Sequence, residues 1–169
     1  MSEHVERKMN LLVVDDAPDN LMLLEAILES EGFNSIVLAE SAIEAYQKLE
    51  EAKSEKAVDL ILMDIMMPEM DGFQTLKEIR SNDKWSEVPV FAVTAKAMQS
   101  DKDVILNHGF TDYIPKPVNP TMISFKIVAA EVCLVPLVMI SLRTETGLSI
   151  FCLRKREAIR LFLRRMVAR

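Results

Sequence analysis

From residue 9 to residue 126 the chain alternates short apolar runs with stretches whose apolar positions recur at helical spacing. The runs MNLLVV (9–14), SIVLA (35–39), VDLILM (58–63), VPVFAV (88–93) and FTDYI (110–114) read as five strands. Those rich in Val, Ile and Leu lack a polar alternation, which suits strands buried on both faces. Helices are expected near 19–30, 41–52, 72–80, 98–107 and 119–130. The punctuation agrees with this division. Ser41 with Glu44 forms a capping-box pattern, Gly32 and Gly109 stand where C-terminal caps belong, and Asn119 precedes Pro120 as a cap precedes a first helical turn.

Five such strand–helix units in series imply an α/β domain with a parallel sheet and helices on both faces, where ligands bind at the carboxyl ends of the strands. The residues at those ends are Asp15 and Asp16 after the first strand, Asp64 after the third and Thr94 after the fourth. The fifth leads through Tyr113 to Lys116. Taken singly, each has an ordinary explanation. Asp15 and Asp16 would cap a helix or sit in a solvated turn, Thr94 would end a strand, Lys116 would be a surface charge and Tyr113 a half-buried aromatic. Together they describe a cleft with three carboxylates, a hydroxyl and an ammonium. Crowded carboxylates call for a hard divalent cation, with Mg²⁺ the natural choice beside a phosphate substrate. A carboxylate next to Mg²⁺ and Lys is in turn a workable nucleophile toward a phosphoryl group, so the expected chemistry is an aspartyl-phosphate on Asp64.

The pieces VVDD (13–16), LMDIMMPEMDG (62–72), VTA (93–95) and YIPKP (113–117) resemble the receiver domain of bacterial two-component response regulators, the CheY-like fold. Spacing supports the resemblance as much as identity does: 30 residues from Asp64 to Thr94, 19 from Thr94 to Tyr113 and 3 from Tyr113 to Lys116. The resemblance implies a flavodoxin-like, doubly wound sheet in the order 2-1-3-4-5. It also implies roles. Asp64 would accept the phosphoryl group, and Asp16, Asp64 and the backbone carbonyl of Met66 would ligate Mg²⁺, with Asp15 acting largely through water. Lys116 and Thr94 would contact the phosphoryl oxygens, and Tyr113 would turn inward behind Thr94 as a two-state switch. A cis peptide is expected between Lys116 and Pro117. The donor would be a sensor histidine kinase or a histidine phosphotransfer protein, and an output protein would read the face formed by residues 98–130. Acceptance and loss of the phosphoryl group are self-catalysed, so the chain is not expected to be an enzyme.

Smaller features fit around this expectation. Met66 and Lys96 border the path of an attacking water, and an apolar Met66 is expected to lengthen the life of the phosphoryl group. The methionines at 63, 66, 67 and 70 read as core and loop filler, and His4 and His108 as bystanders.

Charge separates the chain into two parts. Residues 1–126 carry 12 basic and 23 acidic residues, using ten Lys and two Arg; residues 127–169 carry 8 and 3, using one Lys and seven Arg. The receiver domain is accordingly drawn at 9–126 and an atypical C-terminal tail at 127–169. Cys133 and Cys152 both lie in that tail, without metal-site or disulfide spacing, which fits a reducing cytoplasm. The segment MSEHVERKMN lacks the apolar run of a signal peptide. In the tail, residues 127–142 are apolar at 13 of 16 positions but carry Glu131 and Pro136, too short and too interrupted for a membrane span. Beyond them Ile159, Phe162, Leu163 and Met166 fall on one helical face, with Arg156, Arg160 and Arg164 opposite. Three readings of the tail stay open: an incidental extension, an arm touching membrane or nucleic acid, and an element that pairs two copies of the chain.

Two rival functions remain at this stage. An aspartyl-nucleophile phosphohydrolase commonly needs a second Asp two residues after the nucleophile, where this chain has Met66. The chain also reads as a fragment of a larger DNA-binding or hybrid-kinase regulator.

Overall fold

The computed structural model describes residues 7–52, 57–68, 70–95, 99–134, 138–144 and 147–153, with side chains for 9–52, 57–68, 70–95 and 101–131. Its elements are β1 (Arg7–Val14), α1 (Pro18–Ser30), β2 (Phe33–Ala39), α2 (Ala42–Glu51), β3 (Leu60–Asp64), α3 (Gly72–Ser81), β4 (Val90–Thr94), α4 (Gln99–Asn107), β5 (Asp112–Pro115) and α5 (Pro120–Leu134). A hairpin of β6 (Val138–Thr144) and β7 (Gly147–Leu153) follows. His4, Lys96, Pro136 and the basic stretch around Ile159–Met166 lie outside the described residues.

The first five strands form one parallel sheet in the order β2-β1-β3-β4-β5, flavodoxin-like and doubly wound, with helices on both faces. β3 and β4 are buried along their whole length, which explains why they read as uninterrupted apolar runs. One face of the sheet presents Leu12, Val14, Ile61, Met63, Val90 and Ala92 to Leu49, Leu76, Ile79 and Ile105 from α2, α3 and α4. α1 buries Leu21, Leu24 and Leu28, one stripe of a helix.

The caps form as the sequence implies. The Ser41 hydroxyl accepts from the Glu44 amide at 3.2 Å, and the Glu44 carboxylate reaches back to the Glu40 amide at 2.8 Å. Asn119 accepts from the Met122 amide at 3.0 Å. Gly32 and Gly109 take the positive φ of 92° and 102° that ends a helix in the left-handed region.

Three strands sit further along the chain than their apolar runs suggested. β3 covers 60–64 instead of 58–63, β4 90–94 instead of 88–93, and β5 112–115 instead of 110–114. The displaced residues have other partners. Asp59 accepts the Asn10 amide on its carboxylate at 2.8 Å, and Arg80 donates to the Val88 carbonyl at 2.7 Å. Asp64 and Thr94 are therefore the last residues of their strands, held by the ladder rather than hanging beyond it.

The chain forms two compact units, Met1–Ser124 and Phe125–Arg169, dividing within α5. Among the described residues of the second, α5 runs on to Leu134, past the expected end at 130, and β6 pairs with β7 in antiparallel register, Val138 opposite Leu153 and Arg143 opposite Leu148. No helix among the described residues is long and apolar enough to cross a membrane.

Candidate functional site

The site is assembled where β1, β3, β4 and β5 end. Asp15 follows β1 and is nearly inaccessible, at 1% exposure. Its carboxylate accepts from the Ala17 amide at 3.0 Å, from the Asn20 side-chain amide at 2.9 Å and from the Lys116 ammonium at 2.7 Å. Asp16, the next residue, is exposed. Asp64 ends β3 at 6% exposure; one oxygen accepts from the Met66 amide at 3.0 Å and the other from Lys116 at 2.7 Å. Lys116 is carried in from beyond β5, its amide donating to the Thr94 carbonyl at 2.8 Å, and the Lys116–Pro117 peptide is cis, as expected.

One ammonium therefore serves two buried carboxylates. Burial by itself pushes the Asp15 carboxyl up, but hydrogen bonds from Lys116, Asn20 and the Ala17 amide, with the charge of Lys116, outweigh it and hold the group below its ordinary value. Lys116 mirrors this. Burial pulls its pKa down, and the hydrogen bonds and charges of Asp15 and Asp64 more than reverse it. Both groups stay charged at neutral pH.

Carboxylate oxygens of Asp15, Asp16 and Asp64 lie within 4.8 Å of one another. Such a cluster of hard oxygen donors, more negative than its one ammonium can neutralise, suits a small divalent cation. The remaining anticipated residues are near. Thr94 is buried at the end of β4, level with Pro115 in the ladder, and Tyr113 is half-buried on β5 beside Ala92. Met66 is 59% exposed.

Sequence reasoning missed Asn20. It stands five residues after Asp15, on the first turn of α1, and neutral amides are too common at helix starts to signal a site. Pro68 and Gly72 read in the sequence as shaping the turn that presents Asp64 and starting the next helix, but the sequence did not show the steric demand for glycine at 72. A Cβ there would stand 2.6 Å from the Asp64 carbonyl oxygen and 2.8 Å from the Ile65 Cα, while the Gly72 amide donates to the Ile65 carbonyl at 3.0 Å. The start of α3 is thus pressed against the strand end that carries Asp64. Asp71 caps α3 by accepting from the Gln74 amide at 2.9 Å. A further device lies away from the cleft: the Arg80 guanidinium donates to the carbonyls of Ser86, Val88 and Gly109, tying α3 to the turn before β4 and to the turn before β5.

The family model described as response regulator receiver domain matches residues 11–127. An uncharacterized 14.6 kDa protein of Leptolyngbya boryana is 41% identical over 113 residues, 67% of this chain and 82% of that protein. Other curated relatives include longer proteins, a transcriptional regulator and histidine kinases, of which the chain spans 44% or less. Among solved structures, the receiver domain of the Saccharomyces cerevisiae response regulator Ssk1, co-crystallised with the histidine phosphotransfer protein Ypd1, is 32% identical with a TM-score of 0.64, covering 74% of this chain and 90% of that one. The receiver domain of a Pseudomonas aeruginosa sensor histidine kinase, with magnesium in its active-site cleft, is 32% identical with a TM-score of 0.59, covering 72% and 95%.

Proposed function

The chain belongs to the family of response regulator receiver domains, and we propose that within it Asp64 is the residue that accepts a phosphoryl group. The observation that carries the assignment is the pairing of Asp64 with Lys116 at 2.7 Å at the end of a buried strand, next to Asp15 and Asp16. In the transfer, an Asp64 oxygen bonds to phosphorus as the bond to the donor's histidine nitrogen breaks, and that nitrogen leaves with the electron pair. Lys116 would meet charge on the phosphoryl oxygens, and the Thr94 hydroxyl would donate to one of them.

Asp16, Asp64 and the Met66 carbonyl would hold Mg²⁺, with Asp15 acting through water; the oxygen-only donor set and its excess negative charge suit that ion. When bound, it supplies neutralising charge to the transferring group. The related sensor-kinase receiver with magnesium in its cleft supports this. Thr94 and Tyr113 form the switch: a phosphoryl contact available in one state alone shifts the equilibrium toward that state, with Tyr113 turned inward.

The donor is a histidine kinase or phosphotransfer protein, a reading supported by the complex of the yeast relative. Met66, 59% exposed two residues after Asp64, offers it apolar surface. Output runs through the face expected from residues 98–130 to a protein partner in the cytoplasm. The chain accepts and loses the group without acting on a separate substrate, so we do not class it as an enzyme; a non-acidic residue at position 66 argues against phosphohydrolase turnover.

The test is intact mass after incubation with Mg²⁺ and a small acyl phosphate. One phosphate is expected on the wild type and none on Asp64→Asn. Equal adducts on both proteins would refute the assignment, as would no adduct on the wild type.

A further inference from the structure

The Lys102 ammonium lies over the face of the Tyr113 ring, 5.8 Å from its centroid, within the range of cation–π attraction. Lys102 is half-buried on α4 and Tyr113 half-buried on β5. The same helix turns Asp101 and Ile105 toward a cavity of about 190 Å³ that Thr94 and Phe73 help to line. Thr94 and Tyr113 occupy one face of the sheet, because Ala92 pairs with Tyr113 and Thr94 with Pro115 along the same ladder. One element therefore touches the Tyr113 ring and borders the space beside Thr94.

We propose that Lys102 is a positioning residue that holds Tyr113 in the orientation seen here and thereby weights the domain toward its unphosphorylated state. The inference rests on the reading of Asp64, Thr94 and Tyr113 given above. On this proposal the ring leaves the ammonium as it turns inward behind Thr94, and the attraction is lost in the activated state. A contact made in one state alone biases the equilibrium by its full strength. At a partly exposed site that strength corresponds to a factor of about 2 to 5. If the activated state is the minor one, an anion that binds only to it gains apparent affinity by the same factor when the contact is removed.

The sign separates this from a general charge effect. Removing a positive charge near an anion site weakens anion binding through the field of the protein. Removing Lys102 is expected to strengthen it.

The experiment titrates the full chain, in Mg²⁺, with beryllofluoride as an inorganic mimic of the phosphoryl group. Fluorotyrosine labelling reports the Tyr113 ring by fluorine NMR, with Tyr46→Phe to separate the two tyrosines. Lys102→Met is expected to tighten half-saturation about 2- to 5-fold and to move the Tyr113 resonance toward its bound position before any mimic is added. Lys102→Arg keeps a cation over the ring and is expected to behave as the wild type. In a Tyr113→Leu background, Lys102→Met is expected to lose its effect. Unchanged or weaker binding by Lys102→Met would overturn the proposal, as would the same tightening without Tyr113. A wild type that responds neither to beryllofluoride nor to acyl phosphate would overturn the parent reading and this inference with it.

Discussion

Replacing Gly72 by Ala tests how tightly the start of α3 and the end of β3 are joined. The new Cβ would meet the Asp64 carbonyl oxygen at 2.6 Å, where ordinary contact begins at 3.4 Å, and the Ile65 Cα at 2.8 Å. Both neighbours are backbone, so no side chain can swing away; strand end and helix start must part by several tenths of an ångström. Overpacking of this kind costs about 1–3 kcal/mol. The separation also strains the Gly72 amide bond to the Ile65 carbonyl, at 3.0 Å, worth about 1 kcal/mol. Against this, Ala restricts the unfolded chain and returns about 0.4–1 kcal/mol. The net expectation is a loss of about 2 kcal/mol, read as a urea midpoint lowered by about 1 M at unchanged slope. Because the displaced backbone is that of Asp64, acyl-phosphate labelling should slow as well. Gly109→Ala is the control. Its φ of +102° strains any side chain, but a Cβ there meets nothing nearer than Leu76 at 3.9 Å, so it should cost about 1–2 kcal/mol and leave labelling alone. An unshifted midpoint for Gly72→Ala, or equal slowing by both variants, would refute the steric argument.

Arg80→Ala removes a guanidinium that serves three carbonyls, and about 2–4 kcal/mol of stability should go with it; Arg80→Lys should recover less than half, since an ammonium lacks the planar fork. Urea unfolding checks both, and a loss below about 0.5 kcal/mol would mean that water replaces the bonds without cost. Tyr46 donates to the Thr75 carbonyl at 3.1 Å, and burial, reinforced by Glu78, pushes its phenol up to about 12. The folded state thus holds that proton longer than the unfolded state, whose phenol ionises near about 10. This contribution to stability is complete below pH of about 10 and is lost as pH rises through about 12. Alkaline absorbance titration should show a tyrosinate with a midpoint near 12 that is missing from Tyr46→Phe; a Tyr46 that ionises near the ordinary value would contradict its half-buried setting. Met66→Asn places an amide where an apolar side chain stands 59% exposed beside Asp64, and phosphate release should quicken several-fold. An unaltered release time course would show that Met66 does not hinder the attacking water.

The amino-acid order by itself determined what depends on near neighbours. Apolar runs without alternation marked β3 and β4, and their ends marked Asp64 and Thr94, because a strand buried on both faces tolerates a charge or hydroxyl only where it emerges. Ser41, Asn119, Gly32 and Gly109 announced helix ends because capping is an interaction over three or four residues. The gathering of Asp15, Asp16, Asp64 and Lys116 was legible for the same reason: the strand tips of a parallel sheet converge whatever the lengths of the helices between them. Tertiary structure decided the rest. That Lys116 would be shared by two carboxylates, one of them 101 residues away, depends on sheet register, as does the placing of Lys102 over Tyr113 by the packing of α4 on β5. Asn20 joined the site only because α1 turns its first residues back on Asp15. The need for glycine at 72 appeared only once α3 was set against β3. In the tail, composition marked a change of character, but the pairing of β6 with β7 was hidden, since an apolar run fits a buried helix and a hairpin equally until a partner strand is chosen.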